Sequence, residues 1–280
     1  MTSPLFDHHH DEVTAFTPQR LLEAVVTSKK LAHHRVPEVV VLEFDGDLYD
    51  ALVADGAPHC PTWACFHTPM CLISVDGSPA GVVPRTIGGP FATLIAEQLF
   101  ASGARVVLGL TSAGRVRRGV PLPHVVVVDS AIRDEGTSLH YLPAGRIVEA
   151  SPSLVEALAR EVAKLPLRSY QGLAWTTDAP YRETPSMLAA RAEEGALAVE
   201  MQAASLFAFA RARGVDVGVV AYVTNAVDNG PDEAFDKGPA NIERELLLSM
   251  VRAAREHLYP RDPPDFLPSR VDRGPESKRG

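Results

Sequence analysis

In "GALAVEMQAASLFAFA", Gly195 to Ala210, Glu200 and Gln202 stand either side of Met201 in a stretch otherwise made of Gly, Ala, Leu, Val, Ser and Phe. A buried carboxylate costs several kcal/mol unless something pairs with it. Two readings of Glu200 follow. An acidic side chain sits well against the positive end of a helix dipole, or Glu200 and Gln202 face a ligand where a strand meets a helix. In "LEFDGDLYD", Glu43, Asp45 and Asp47 follow a short β-branched run. A carboxylate there can act as general base toward water, although Asp-Gly-Asp is also ordinary turn chemistry. "TSAGR" places the hydroxyls of Thr111 and Ser112 beyond a strand, and "GGP" offers the backbone N–H groups of Gly88 and Gly89 at a helix start, a natural anion site. In "YVTNAVD", Thr224 and Asn225 close another apolar run. An Asn amide both donates and accepts hydrogen bonds, and it also suits a strand-end turn.

The elements that must carry these residues alternate. Thr17 caps and Pro18 starts a helix through "LLEAVVTSKKLA". "EVVVLEF" is a buried strand, followed by a helix over "LYDALVADG". "CLISVDGSPAGVVPRTI" is two strands joined by an Asp-Gly turn. "GGPFATLIAEQLFASG" is a helix stopped by Gly103. "RVVLGLTSAG" is a strand ending in a small-residue loop, and "HVVVVDSAIRDEG" a strand running into polar residues. A helix from Ser151 and Pro152, a strand near "GLAWTTD" and a helix from Thr184 and Pro185 follow. "ALAV" is a strand, "AASLFAFARARG" a buried helix closed by Gly214, and "VDVGVVAYVTN" the last strand. A helix near "PANIERELLLSMVRAAREHL" completes the order.

This alternation predicts a single α/β domain with a central mixed, mostly parallel, open twisted sheet flanked by helices. It occupies 17–259, with a mobile N-terminus over 1–16 and a Pro/Arg/Asp-rich, disordered tail over 260–280. Ligands of such sheets sit beyond the carboxyl ends of the strands. The polar stretches there are "FDGD", "RTIGGP", "TSAGR", "RDEGTSLHY", "TTDAPYRE", "VEMQ" and "TNAVDN".

A net charge of -8 excludes the basic face of a nucleic-acid binder. No apolar run reaches the roughly 20 residues that span a bilayer, and the polar start is no leader, so the chain reads as cytoplasmic. Cys60, Cys65 and Cys71 are too few and too clustered for a disulfide framework. With His59 and His67 they fit no zinc spacing, so no metal is assigned, and "HHHD" at His8 to Asp11 is treated alike.

"RTIGGPFATLIAEQL", "TSAGR", "DSAIRDEGTSLHYLP" and "VEMQAASLFAFA", in this order within about Val39 to Leu258, resemble the nucleoside phosphorylase superfamily, and within it the uridine phosphorylases. The resemblance implies a single α/β domain assembled from dimers, usually into hexamers, that breaks the bond joining a base to ribose. The transition state of that reaction is an oxocarbenium-like sugar with negative charge moving onto the base.

By this resemblance Glu200, Met201 and Gln202 hold the sugar, with Gln202 standing where the family has a second glutamate. A neutral amide still binds a diol, but a charge-assisted hydrogen bond is about twice as strong. Slower chemistry or altered sugar hydroxyls follow. Asn225, helped by Thr224, stands where purine-cleaving relatives carry an aspartate, and it suits a base with a carbonyl beside an N–H, such as uracil or a 6-oxopurine. Uridine phosphorylases read uracil with a Gln-x-Arg pair. "TTDAPYRET" is shorter and lacks the glutamine, leaving Arg182 to substitute.

The family's phosphate arginines are missing. "LEFDGDLYD" has none, the one before "TSAG" falls on Gly109, and the one from a neighbouring subunit falls near Phe66 and His67. Ser112, Thr111 and Gly89 remain to line the nucleophile pocket, with Arg85, Arg115 or Arg133 as further donors. His140 and Arg133 come from the ribose-side segment. Hydrolytic members, the methylthioadenosine nucleosidases, use a glutamate after the first strand, a place open here to Glu43 or Asp45. The expected enzyme needs no cofactor and cleaves a nucleoside, with water slightly preferred over phosphate as acceptor. Alternatives are a phosphate-dependent phosphorylase, a non-catalytic nucleoside-binding protein, and a biosynthetic enzyme running the bond the other way.

Overall fold

The computed structural model describes residues 4–227, 238 and 240–260. Seven α-helices and nine strands occur among them, in an alternating order that follows the apolar runs. The helices are α1 Pro18–Lys29, α2 Asp47–Ala54, α3 Gly89–Ala101, α4 Pro152–Val162, α5 Pro185–Glu193, α6 Ala203–Arg213 and α7 Ala240–Leu258. The strands are β1 Val39–Glu43, β2 Cys71–Val75, β3 Ser78–Pro84, β4 Val106–Arg115, β5 His124–Asp134, β6 Ile147–Glu149, β7 Ser169–Thr177, β8 Ala198–Glu200 and β9 Asp216–Ala226.

Local chemistry sets the boundaries. Thr17 accepts the N–H of Arg20 to cap α1, with Pro18 in its first turn. Thr184 does the same for α5 by accepting from Met187. Gly214, at φ +65°, closes α6. Asp76 (φ +49°) and Gly77 (φ +78°) form the tight turn between β2 and β3, the conformation an Asp-Gly pair adopts most readily.

The sheet corrects two expectations. It is mixed, as expected, but almost evenly so rather than mostly parallel: β2–β3, β4–β8, β5–β6 and β5–β9 pair antiparallel, while β1–β3, β1–β4, β4–β9, β5–β7 and β7–β8 pair parallel. It is also closed. β4, β8, β7, β5 and β9 form a ring through successive pairings, with β9 hydrogen-bonded to both β4 and β5. β1, β3 and β2 extend this barrel beyond β4, and β6 pairs with β5. Strand direction could not be read from apolar runs, because a strand buried on both faces looks the same in either sense. The long partners β4, β5 and β9 supply the reach for closure. "TSAGR" is a third correction. It continues β4 rather than forming a loop, because β9 pairs along its whole length with a register shift at Ala113/Gly114.

On its other edge β4 changes partner. It pairs with β1 through Leu110 and with β8 from Gly114, so residues 111–113 have no ladder partner on that side. The sheet gapes there. Gly109 lets the Phe44 ring pack against β4, since a Cβ would stand 3.0 Å from that ring.

The core lies between the barrel and its helices, with Leu108, Phe207, Phe209, Tyr222 and Met250 among its fully buried side chains. Residues 4–16 lie along a 3-10 turn, Thr137–His140, where His10 Nε2 meets the Leu139 carbonyl at 2.9 Å and the His8 ring lies 4.1 Å from His140. The tail expected to be disordered lies outside the described residues beyond 260. Among the described residues no helix is long and apolar enough to cross a membrane.

Candidate functional site

A cavity of about 300 Å³ opens at the gap between β1 and β8. Phe44 and Asp45 enter it after β1, Thr111 to Gly114 form its β4 wall, Glu200 to Gln202 arrive with the β8–α6 junction, and Asn225 to Val227 close β9. Ile87, before α3, and Pro180 and Glu183, after β7, complete the rim. Larger hollows lie outside, between α4 and α7 (about 930 Å³) and between α1, α3 and the N-terminal segment (about 520 Å³). Neither of these, nor a hollow of about 420 Å³ beside β6 and the start of β9, is lined by the carboxyl end of a strand of the closed ring.

Glu200 resolves the choice its flanks posed. One carboxylate oxygen accepts from the Thr176 hydroxyl, and the other accepts the backbone N–H groups of Gln202 (2.6 Å) and Ala203 (2.8 Å). It therefore caps the N-terminus of α6, whose first N–H groups have no partner within the helix. Thr176 completes the arrangement by accepting the Ala204 N–H at 2.9 Å. Burial raises the Glu200 pKa to about 7 against the opposing pull of these donors. A carboxylate has about four acceptor positions, so three bonds leave capacity toward the cavity.

Gln202 is buried to 2% exposure. Its side-chain nitrogen reaches Thr111 Oγ1 at 3.5 Å, and its carbonyl oxygen has no partner among the described residues. An orphaned buried acceptor costs about 1–3 kcal/mol, and a ligand hydroxyl would satisfy it. Across the cavity, Ser112 donates to Asp45 at 3.1 Å. Asn225 donates to Thr224 Oγ1 at 2.9 Å.

Seven of the residues singled out in the sequence thus line one cavity: Asp45, Thr111, Ser112, Glu200, Met201, Gln202 and Asn225. The others lie elsewhere. Glu43 is buried beneath the loop, accepting the backbone N–H groups of Gly46 (2.7 Å) and Tyr49 (3.2 Å). Burial raises its pKa while those donors pull it down. Arg133 spends its guanidinium on Ser138, Leu142 and Pro143, bracing the 3-10 turn. His140 stacks on His8, and burial lowers its pKa. Arg182 is exposed beside the rim, and His67 is exposed in an edge contact with Phe91. Gly89 starts α3 against Ser205, where a Cβ would fall 2.2 Å from the hydroxyl. Thr224 stands behind Asn225.

Sequence reasoning passed over Glu183. It is half-buried at the rim, and burial raises its pKa to about 7. The signal was present in "TTDAPYRE", a polar strand-end in which attention fell on the neighbouring arginine. Among the described residues lining the cavity, Asp45, Glu183 and Glu200 are ionisable acids and none is Lys, Arg or His. No three His, Cys, Asp or Glu side chains converge as a metal site among the described residues.

Residues 39–254 match the family model of the phosphorylase superfamily. A guanosine phosphorylase of Halorubrum lacusprofundi is 27% identical over 188 residues, covering 63% of this chain and 76% of that one. A uridine phosphorylase of Thermococcus kodakarensis is 29% identical over 189 residues, covering 61% and 67%. The crystal structure of a uridine phosphorylase from Vibrio fischeri, complexed with 6-hydroxy-1-naphthoic acid, superposes with a TM-score of 0.67 at 22% identity, covering 80% of this chain and 91% of that one. At that identity the likeness speaks for the fold.

Proposed function

The chain belongs to the phosphorylase superfamily, and we propose that its cavity cleaves the N-glycosidic bond of a nucleoside bearing a uracil or 6-oxopurine base, with water as acceptor. The observation that carries this reading is the buried, unpaired carbonyl oxygen of Gln202 in a cavity lined by acids. That oxygen meets the demand of a sugar hydroxyl. Thr111, against the other end of the amide, fixes which way the amide points. Glu200 supports the same loop and faces the developing positive charge of the sugar. Asn225, steered by Thr224, meets the base as it gains negative charge.

The acid lining favours the acceptor. At about 4 Å and an effective dielectric of about 20, each contact between a phosphate charge and a carboxylate costs on the order of 4 kcal/mol. Water meets no such cost. Asp45 lines the cavity and is oriented by Ser112, so it takes the role of general base. Glu43 supports the loop that presents it.

A second reading, phosphate-dependent cleavage, draws on the guanosine and uridine phosphorylases among the relatives. A non-catalytic nucleoside-binding role would retain affinity without base release. Assembly as a homodimer, or as a hexamer built from dimers, belongs to the same proposal, and light scattering measures it. The acceptor test incubates uridine, inosine and guanosine with the protein, with and without phosphate, and follows free base, free sugar and sugar 1-phosphate. Base and free sugar without phosphate support hydrolysis. Release that requires phosphate overturns it, and binding without release supports the non-catalytic role.

A further inference from the structure

We propose that the hollow of about 520 Å³ between α1, α3 and the N-terminal segment binds a small primary ammonium ion with an apolar body. This site is separate from the catalytic cavity and independent of the reaction proposed there.

Gln202 marks the catalytic cavity by a buried amide oxygen without a donor, and Gln98 repeats that arrangement on α3. Gln98 is 1% exposed and lines the hollow. Its side-chain nitrogen is held on the Leu94 carbonyl at 3.3 Å, which leaves the amide oxygen as the unpaired end. Thr93 is equally buried and also lines the hollow, and its hydroxyl has no partner among the described residues. Each such orphaned group costs about 1–3 kcal/mol.

Glu97 adds a third acceptor. It stands one helical turn after Thr93 and next to Gln98. Tyr141 (3.2 Å) and Arg213 (3.1 and 3.4 Å) all donate to its Oε1. Its Oε2 takes part in no hydrogen bond among the described residues. Arg213 is the single Lys or Arg among the described lining residues, and Glu97 already holds it. Glu12 and Glu97 outnumber it, and the imidazoles of His9, His10 and His140 can accept as well as donate.

An amide oxygen, a hydroxyl and a carboxylate oxygen thus await donors along one helix. A primary ammonium carries three N–H donors and no acceptor. A charge taken out of water needs a partner, and the Glu97 carboxylate supplies it. An anion would meet that carboxylate with no free guanidinium to offset it. The apolar body has its own surface in Phe16 and Leu94, which line the hollow yet are 63% and 42% exposed.

Calorimetric titration of the full chain at pH 8 compares benzylamine, benzyl alcohol and benzyltrimethylammonium. Benzylamine is expected to bind. The alcohol lacks the charge and the trimethyl cation lacks N–H donors, so each is expected to bind at least about tenfold more weakly. Gln98→Met and Thr93→Val each remove one acceptor and are each expected to weaken benzylamine about tenfold. Circular dichroism checks that the variants fold, and either one that does decides the matter. Gln202→Met is expected to leave benzylamine affinity unchanged, which separates this site from the catalytic cavity. Absent benzylamine binding, equal binding of benzyltrimethylammonium, full affinity in the folded variants, or affinity lost in Gln202→Met overturns the assignment.

Discussion

The carboxylate of Glu200 accepts the backbone N–H of Gln202 at 2.6 Å, while the side-chain carbonyl of Gln202 is buried without a donor. Two residues apart, one acid is anchored by three bonds at the helix start and one amide is left incomplete. The strand-to-helix junction makes this split. Glu200 ends β8 and turns toward the first N–H groups of α6, whereas Gln202 begins the helix beside the gap in β4. The orphaned oxygen is a structural cost that a bound sugar hydroxyl would remove.

Gln202→Met tests that division. Methionine keeps the volume and removes the unpaired acceptor, so thermal stability is expected to hold or rise. Base release is expected to fall about 10- to 100-fold in kcat/KM, the loss of one or two hydrogen bonds to the sugar. A loss of stability with unchanged activity would count against the sugar-binding role.

Asp45 and Glu43 are expected to separate cleanly. Asp45→Asn leaves the fold intact and lowers phosphate-independent base release about 10²- to 10⁴-fold, the usual contribution of a general base. Glu43→Gln weakens the acceptors of the Gly46 and Tyr49 N–H groups and costs about 1–3 kcal/mol in urea unfolding. Its pH–rate profile is expected to keep the shape of the wild type.

Stability should fall as pH rises through the window between the two carboxyl states. Glu183 and Glu200 have folded pKa values raised from 4.5 to about 7. Between those values the folded chain holds more protons than the unfolded chain, so raising the pH favours unfolding. Urea unfolding at pH 5 and pH 8 measures the fall. Glu183→Gln is expected to reduce it by removing one of the two groups, and an identical fall in the variant would show that Glu183 does not contribute.

Gly89→Ala is expected to destabilise by about 1–3 kcal/mol. Its Cβ would stand 2.2 Å from Ser205 Oγ, which donates to Glu135 at 2.6 Å. Moving Ser205 forces α3 away from α6, or frees the buried Glu135 carboxylate. Thermal denaturation by circular dichroism reads the loss.

Much of this was legible in order along the chain. Apolar runs, Pro after a Thr cap, an Asp-Gly turn and a closing Gly214 are local signals, and local chemistry acts wherever the chain goes. They placed α1, α5, α6, the β2–β3 turn and every long strand. They also placed Asp45, Gln202 and Asn225 at strand ends, because polar residues that follow a buried run emerge at its end, whereas Ser112 proved to lie inside β4.

Tertiary structure decided what local pattern cannot encode. Strand direction and barrel closure depend on which runs become neighbours, and β4, β5 and β9 are far apart in sequence. The same holds for the site. Glu43 and Asp45 differ by two positions and look alike as acids, but the turn at Gly46 directs one to backbone N–H groups and the other to Ser112. Glu183 stands in a polar strand-end of the sequence, but its place at the rim opened by β1, β4 and β8 was decided only when β7 brought its loop there. Residue types set which bonds each group could make; the order of neighbours in space set which bonds were left for a ligand.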